Sequence, residues 1–174
     1  MNIEALAKPI KLVIFDVDGV LTDGGLYFSD EGLELKRFNS LDGLGIQLLK
    51  NNGIQPAVIT ARRSKTVEHR MKNLGITHCY QGQENKRFAF ETLLSELSLS
   101  NREVAYMGDD IIDLPVMAQV GLAVAVANAH PLVKQQAHFI TKKTGGNGAV
   151  REVCDFLLKA QNTFDQAINP YLKP

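Results

Sequence analysis

No excess of either charge marks this 174-residue sequence: lysine plus arginine and aspartate plus glutamate both number 19. A nucleic-acid binder needs a basic face, so that class is disfavoured. General attraction to an anionic membrane is equally unsupported. No apolar run approaches the roughly 20 residues that cross a bilayer. The stretch from Met1 to Pro9 carries Glu4 and lacks the apolar core of a signal peptide. The cytoplasm is therefore the expected location. Only two cysteines are present, Cys79 and Cys154. They show neither metal spacing nor a small disulfide framework, and read as buried apolar thiols of a reducing compartment. The four histidines have no ligand spacing and receive no role.

What remains is an ordinary globular mix, 45% hydrophobic and 22% charged, at a length that suits one domain. Lys11–Phe15 is a compact apolar run and reads as a buried parallel strand. Gly25–Phe28 and Leu33–Phe38 flank the turn-like Ser29–Gly32, which predicts a β-hairpin. Asp42 could cap a helix running to Asn51. Strands and helices then alternate. Strands are expected at Gln55–Thr60, His78–Gln81, Val104–Met107, Leu122–Val126 and His138–Ile140. Helices are expected at Ser64–Leu74, Asn85–Leu97, Ile111–Val120, Pro131–Gln136 and Gly148–Ala160, with Phe88 on the buried stripe of the second. This order implies an α/β, Rossmann-like, mostly parallel sheet with helices on both faces and no cap domain. The single domain would span residues 1–160, and residues 161–174 would form a polar tail leaving the body.

The polar residues sit where such sheets carry their sites, at the carboxyl ends of strands. Asp16 and Asp18 follow the first strand, Thr60 ends the next, and Gly108-Asp109-Asp110 follows Val104–Met107, with Asp113 one helical turn later. Lys86 opens a helix nearby. Clustered carboxylates stay ionised only if a cation joins them, and all-oxygen ligation points to a hard ion such as Mg2+. A site with Mg2+, a lysine and a hydroxyl suits a phosphoryl group, and a carboxylate nucleophile can form an acyl-phosphate. In an extended chain Asp16 and Asp18 point the same way, one toward phosphorus and one toward the leaving oxygen. Gly145-Gly-Asn-Gly148 could cradle phosphate at a helix start, but reads better as a loop or a turn that positions the tail.

Asp16-Val-Asp18-Gly-Val-Leu-Thr22, Thr60, Lys86 and Gly108-Asp109-Asp110-Ile-Ile-Asp113 together resemble the four motifs of the haloacid dehalogenase superfamily. The resemblance implies that Asp16 attacks phosphorus and that Asp18 protonates the leaving oxygen, then activates water. It implies that the Asp16 carboxylate, the Asp18 carbonyl and the Asp109 carboxylate hold Mg2+. Thr60, the Ala61 N–H and Lys86 would bind phosphate, with Asp110 and Asp113 in support. Ala61 departs from the glycine often found there. Only about 45 residues separate Asp16 from Thr60, and about 25 separate Thr60 from Lys86, too few for a cap.

Thr22-Asp-Gly24, Phe38-Asn-Ser-Leu-Asp-Gly43 and Gly145–Glu152 further resemble the capless, tetrameric 3-deoxy-D-manno-octulosonate 8-phosphate phosphatases of lipopolysaccharide precursor synthesis. That likeness implies sugar-acid contacts across the assembly by Asn39, Ser40, Leu41, Asp42, Gly43, Gln47, Arg62 and Arg70. It also implies a homotetramer; a capless site needs a neighbouring subunit to cover it, with the hairpin Gly25–Phe38 as the natural interface element and Tyr27 and Phe28 as interface or core residues. Nonulosonate 9-phosphate phosphatases are the nearest alternative, and Arg62 favours the octulosonate. A receiver-like phospho-switch is the rival outside enzymes.

Overall fold

A computed structural model describes residues 2–172 of the chain. Six parallel strands form one sheet in the order β5-β4-β1-β6-β7-β8. They are β1 (Leu12–Phe15), β4 (Gln55–Ile59), β5 (His78–Tyr80), β6 (Val104–Gly108), β7 (Leu122–Ala125) and β8 (Phe139–Ile140). β1 lies at the centre because Leu-Val-Ile-Phe is wholly buried and can face helices on both sides. Strand order reverses at β1, which runs beside β4 on one side and β6 on the other. Such a switch point opens a crevice above the strand ends. Register brings Phe15 level with Val58 and Met107, so Asp16 emerges beside Gly108. β2 (Tyr27–Phe28) and β3 (Glu34–Leu35) form the expected antiparallel hairpin, and Thr22 bridges Phe38 at its base.

The helices are α1 (Ile3–Ala7), α2 (Ser40–Asn51), α3 (Lys65–Leu74), α4 (Lys86–Leu97), α5 (Leu114–Met117), α6 (Pro131–Gln136), α7 (Ala149–Ala160) and α8 (Phe164–Leu172). α2 packs along α7, which also meets α1 and α8, while α4, α5 and α6 form a second group. Each Val, Ile or Leu enclosed between these layers and the sheet contributes roughly 1.5–3 kcal/mol of apolar burial.

Four local expectations are corrected. Asn39, not Asp42, caps α2: its backbone is extended and its side chain accepts from Leu41 N–H at 2.8 Å. Phe88 is 71% exposed, because the buried stripe of α4 runs through Phe90, Leu93 and Leu94 and position 88 falls on the opposite side. The helix expected over Ile111–Val120 is a short tight turn at Ile111–Asp113 followed by α5. Residues 161–172 do not leave the body. Gln161 donates to the carbonyls of Ala7 and Ile10 at 3.1 and 2.8 Å, and α8 buries Ala167. Lys173, Pro174 and Met1 lie outside the described residues. Cys154 is buried as expected, while Cys79 is half-buried.

Asp42 instead ties two helices together. Its buried carboxylate accepts from Arg151 N–H at 2.8 Å, in the first turn of α7. Asp42→Ala removes that partner and leaves a buried donor unsatisfied. A loss of about 1–3 kcal/mol in unfolding free energy is expected from urea denaturation; an unchanged midpoint would show that the tie carries no stability.

Candidate active site

Asp16 leaves β1 with its N–H donated to Met107 O at 3.0 Å, which fixes the strand end. The chain then makes one wide turn, Val17–Leu21, in which Gly19 takes φ 90°. A Cβ on Gly19 would lie 2.0 Å from Asp109 Oδ2, so the bare backbone lets the Asp109 carboxylate settle against this turn. Gly145 and Gly146 brace the turn from behind. A Cβ on Gly145 would fall 1.7 Å from Gly19 O, and Gly146 N–H donates to Val20 O at 3.0 Å. Gly145 N–H is committed to Asn128 Oδ1 at 3.0 Å. The Gly-Gly-Asn-Gly segment therefore supports the acidic turn; those two donors are not free for phosphate, and it does not position a tail.

Oxygens of Asp16, Asp109 and Asp113 lie within 4.8 Å of one another. Asp113 is fully occupied. Its Oδ1 accepts from Lys86 Nζ at 2.7 Å and Tyr106 OH at 2.6 Å, and its Oδ2 accepts from the N–H groups of Asp109 and Asp110 at 2.9 and 3.2 Å. Asp16 and Asp109 are not. Asp109 Oδ1 is buried without a hydrogen bond. Lys86 Nζ lies 2.9 Å from Asp16 Oδ1 but off the hydrogen-bonding direction, so that oxygen is charge-paired without a hydrogen bond. Two carboxylates with free oxygens match the one or two that Mg2+ takes alongside waters.

The electrostatics agree. Burial, reinforced by Asp113, pushes the Asp16 carboxyl up to about 7 against the opposing pull of Lys86. Burial, with repulsion from Asp16 and Asp113, pushes Asp109 up to about 8. Burial works against a charged Lys86, yet Asp16 and Asp113 outweigh it and raise its pKa.

A cavity of about 270 Å³ sits over this cluster, and Asp18, Thr60, Ala61, Arg62 and Asp110 also line it. Thr60 is held in place by N–H donation to Tyr80 O at 2.9 Å, and its carbonyl accepts from Gln83 N–H at 3.0 Å. Asp110 is exposed and accepts from Ile111 N–H at 2.7 Å, as a turn-capping residue does. A larger cavity of about 650 Å³ lies beside Cys79, between α3 and the edge strand β5, but gathers no comparable set of groups.

The expected sugar-acid residues divide. Arg62 lines the cavity, with Nη2 2.7 Å from Glu34 Oε1 and Nε 3.8 Å from Asp18 Oδ2. Asn39, Ser40, Leu41, Asp42, Gly43, Gln47 and Arg70 lie outside the cavity of their own chain. Ser40, Leu41 and Gln47 are exposed on α2. Arg70 Nη2 donates to Asn39 O at 3.3 Å, and its guanidinium lies 5.7 Å from the Phe38 ring.

Two residues escaped sequence reasoning. Tyr106 reads as one more apolar residue of a buried strand, and only three dimensions show its hydroxyl on Asp113. Lys36 reads as a hairpin surface residue, yet its side chain is 1% exposed and its ammonium contacts Asp18 Oδ1, with Glu34 Oε1 at 3.3 Å. A signal was present: in Leu33-Glu-Leu-Lys-Arg-Phe38 the alternation is inverted. Glu34 and Lys36 turn inward, while Leu33 and Leu35 are 62% and 61% exposed.

A carboxyl with a raised folded pKa holds a proton in the fold that the unfolded chain has lost. From the ordinary 3.8 up to about 7 and 8, the metal-free fold binds more protons and loses stability as pH rises. A divalent cation binds the ionised pair and offsets that loss. Added Mg2+ should therefore raise the melting temperature more near pH 8 than near pH 5. Equal shifts would show that these carboxylates are not its ligands.

Comparison with known proteins gives the lineage. Residues 78–153 match a haloacid dehalogenase-like hydrolase model. The 3-deoxy-D-manno-octulosonate 8-phosphate phosphatase of Escherichia coli strain K12 is 54% identical over 166 residues, covering 95% of this chain and 88% of its own. The crystal structure of that phosphatase from Yersinia pestis superposes with a TM-score of 0.93 at 53% identity, over 94% of this chain and 88% of its own. The Moraxella catarrhalis structure, in complex with magnesium ion, phosphate ion and a KDO molecule, has a TM-score of 0.95 at 46% identity, over 97% of both chains. With the acidic cluster at the ends of β1 and β6 and this likeness along nearly the whole length, the chain belongs to the 3-deoxy-D-manno-octulosonate 8-phosphate phosphatase family of haloacid dehalogenase-like hydrolases.

Proposed function

We propose that this chain hydrolyses 3-deoxy-D-manno-octulosonate 8-phosphate to the free sugar acid and phosphate, as a magnesium-dependent step of lipopolysaccharide precursor synthesis in the cytoplasm. The observation that carries the reading is the pair of carboxylates with free oxygens, Asp16 and Asp109, beside the Lys86 ammonium at the switch point of the sheet. Asp16, Asp109 and the Asp18 carbonyl would hold Mg2+, which supplies positive charge against the carboxylates and the phosphoryl oxygens. Among the described residues no helix is long and apolar enough to cross a membrane.

The chain's own residues divide the work as follows. Lys86, Thr60 and the Ala61 N–H orient the phosphoryl group. Asp16 attacks phosphorus: an Asp16 O–P bond forms as the bond to the sugar oxygen breaks. Asp18 gives its proton to that oxygen, then takes one from the water that hydrolyses the phospho-aspartate and regenerates Asp16. Asp113 anchors Lys86 and the backbone at Asp109 and Asp110. Arg62 answers the negative charge of the sugar acid. Asn39, Ser40, Leu41, Gln47 and Arg70 contribute from a neighbouring copy in a homotetramer, because a capless site needs such cover to exclude water; Asp42 and Gly43, expected among them, are buried within their own chain and drop out. The hairpin supports this assembly, since it exposes Leu26, Tyr27, Phe28, Leu33 and Leu35 together.

Asp16→Asn should lower steady Mg2+-dependent phosphate release by at least about 10³-fold. A single stoichiometric phosphorylation without turnover would instead identify a phospho-switch. In a screen of sugar-acid phosphates, Arg62→Ala should reduce kcat/KM for the octulosonate ester by about 10- to 100-fold, the worth of a charged hydrogen bond. Equal turnover of simple phosphomonoesters or of nonulosonate 9-phosphates would overturn the substrate. Leu35→Asp should shift the sedimentation coefficient toward a smaller species; an unchanged value would remove the hairpin from the interface.

A further inference from the structure

We propose that Lys36 is a positioning residue for this reaction: from the hairpin, it aims the Asp18 carboxyl at the leaving oxygen. The inference rests on the reading of Asp18 as acid and base. Among the described residues, Lys36 is the only side chain within hydrogen-bonding reach of the Asp18 carboxyl. Arg62 Nε, at 3.8 Å from Oδ2, is too distant for a hydrogen bond. Asp18 sits in the wide turn Val17–Leu21. The Lys36 contact takes Oδ1 and leaves Oδ2 on the side of Arg62, which lines the same cavity as Asp18.

Lys36 is itself fixed from the other side. Glu34 stands two residues earlier on the same strand face, 3.3 Å from its ammonium, and Arg62 closes the ring onto Glu34 at 2.7 Å. Two cations and two carboxylates thus alternate around one loop of contacts: Asp18, Lys36, Glu34, Arg62. A short surface hairpin has no need of an enclosed ammonium for stability: the Lys36 side chain is 1% exposed, while Asp18 and Glu34 keep 20% and 17%. Removing that charge from water is costly, and an apolar residue of similar volume holds such a position as well or better. The inverted face of Leu33–Phe38, with leucines outward and charges inward, therefore answers to the acid rather than to the hairpin.

In the first half-reaction the Asp16 O–P bond forms, the bond from phosphorus to the sugar oxygen breaks, and a proton carried on Asp18 Oδ2, while Oδ1 accepts from Lys36, passes to that oxygen. Lys36 touches neither phosphorus nor the leaving oxygen; it acts by keeping Asp18 in reach of the latter. Its loss should consequently matter in proportion to how much the leaving group needs a proton. A sugar alkoxide needs one; a 4-nitrophenolate leaves without help.

The test compares kcat/KM, which reports steps through phospho-aspartate formation, on 3-deoxy-D-manno-octulosonate 8-phosphate and on 4-nitrophenyl phosphate. Full-length chains carrying Lys36→Met, Lys36→Gln, Lys36→Arg, Asp18→Asn and the Asp18→Asn Lys36→Met pair are assayed with Mg2+. Lys36→Met and Lys36→Gln should each lose at least about tenfold more on the sugar ester than on the aryl ester. Lys36→Arg should recover part of that difference, and the pair should fall no further than Asp18→Asn alone. Equal losses on both esters from both Lys36 variants, including loss through misfolding, would overturn the proposal, as would additivity in the pair. If Asp18→Asn itself slows both esters alike, the acid assignment fails first and Lys36 falls with it. A selective Asp18→Asn beside unselective Lys36 variants sinks the Lys36 proposal alone.

Discussion

The Lys86 ammonium lies between two buried carboxylates, 2.7 Å from Asp113 and 2.9 Å from Asp16, and the architecture of the site follows from that contact. Three acidic side chains from two adjacent strand ends could not share a dry pocket on their own, since repulsion and lost hydration both favour protonation. One cation covers part of the charge. The hydrogen bonds to Asp113 cover its share, from Tyr106 OH and from the N–H groups of Asp109 and Asp110. What remains is concentrated on Asp16 and Asp109. The fold thus leaves a deficit of positive charge at one point, beside the cavity, where a metal ion and a phosphoryl group can meet. Asp113 belongs to the acidic cluster by distance but not by chemistry, because every oxygen direction it has is already taken.

The backbone that carries these groups is constrained as tightly as the charges. Gly19 admits Asp109 on one side and Gly145 admits the carbonyl of Gly19 on the other. A side chain at either position would push the acidic turn away from β6. The segment between β8 and α7 is therefore part of the site without contributing a reactive group; Gly145 follows from crowding, Gly146 from crowding and a positive φ, and Gly148 from its φ of 99°.

Much of this was legible in the sequence. The apolar runs at Lys11–Phe15 and Val104–Met107 mark buried parallel strands, observed as Leu12–Phe15 and Val104–Gly108, and polar residues after them mark the crevice. The helices expected over Ser64–Leu74 and Asn85–Leu97 are present as α3 and α4, the first stopped by the left-handed Gly75 and the second capped by the Asn85 side chain. Legibility ended where tertiary partners decide. Asp42 reads as a cap because it precedes an apolar stretch, but Asn39 is better placed and Asp42 meets Arg151, 109 residues away. Phe88 reads as core by its chemistry, though its helical phase turns it outward. The C-terminal segment reads as a tail by polarity, yet Gln161 ties it to the loop before β1. Lys36 was hidden because the hairpin was read for its interface and not for the face it turns inward.

Asp16 and Asp18 are two residues apart and are held by different parts of the protein. Asp16 is set by the core: its N–H bonds Met107 O, and β1 is locked between β4 and β6 over its whole length. Asp18 is set by an insertion, through a lysine two strands' length along a hairpin whose outer face is apolar and exposed. On the proposed mechanism, the side of the reaction that handles phosphorus is thereby set by the sheet, and the side that handles the leaving oxygen by the hairpin. Whatever covers the leucines of the hairpin also determines how firmly Lys36 is seated. In the proposed tetramer, assembly and proton transfer are mechanically joined, because the exposed leucines and the inward Lys36 side chain are opposite faces of the same short strand.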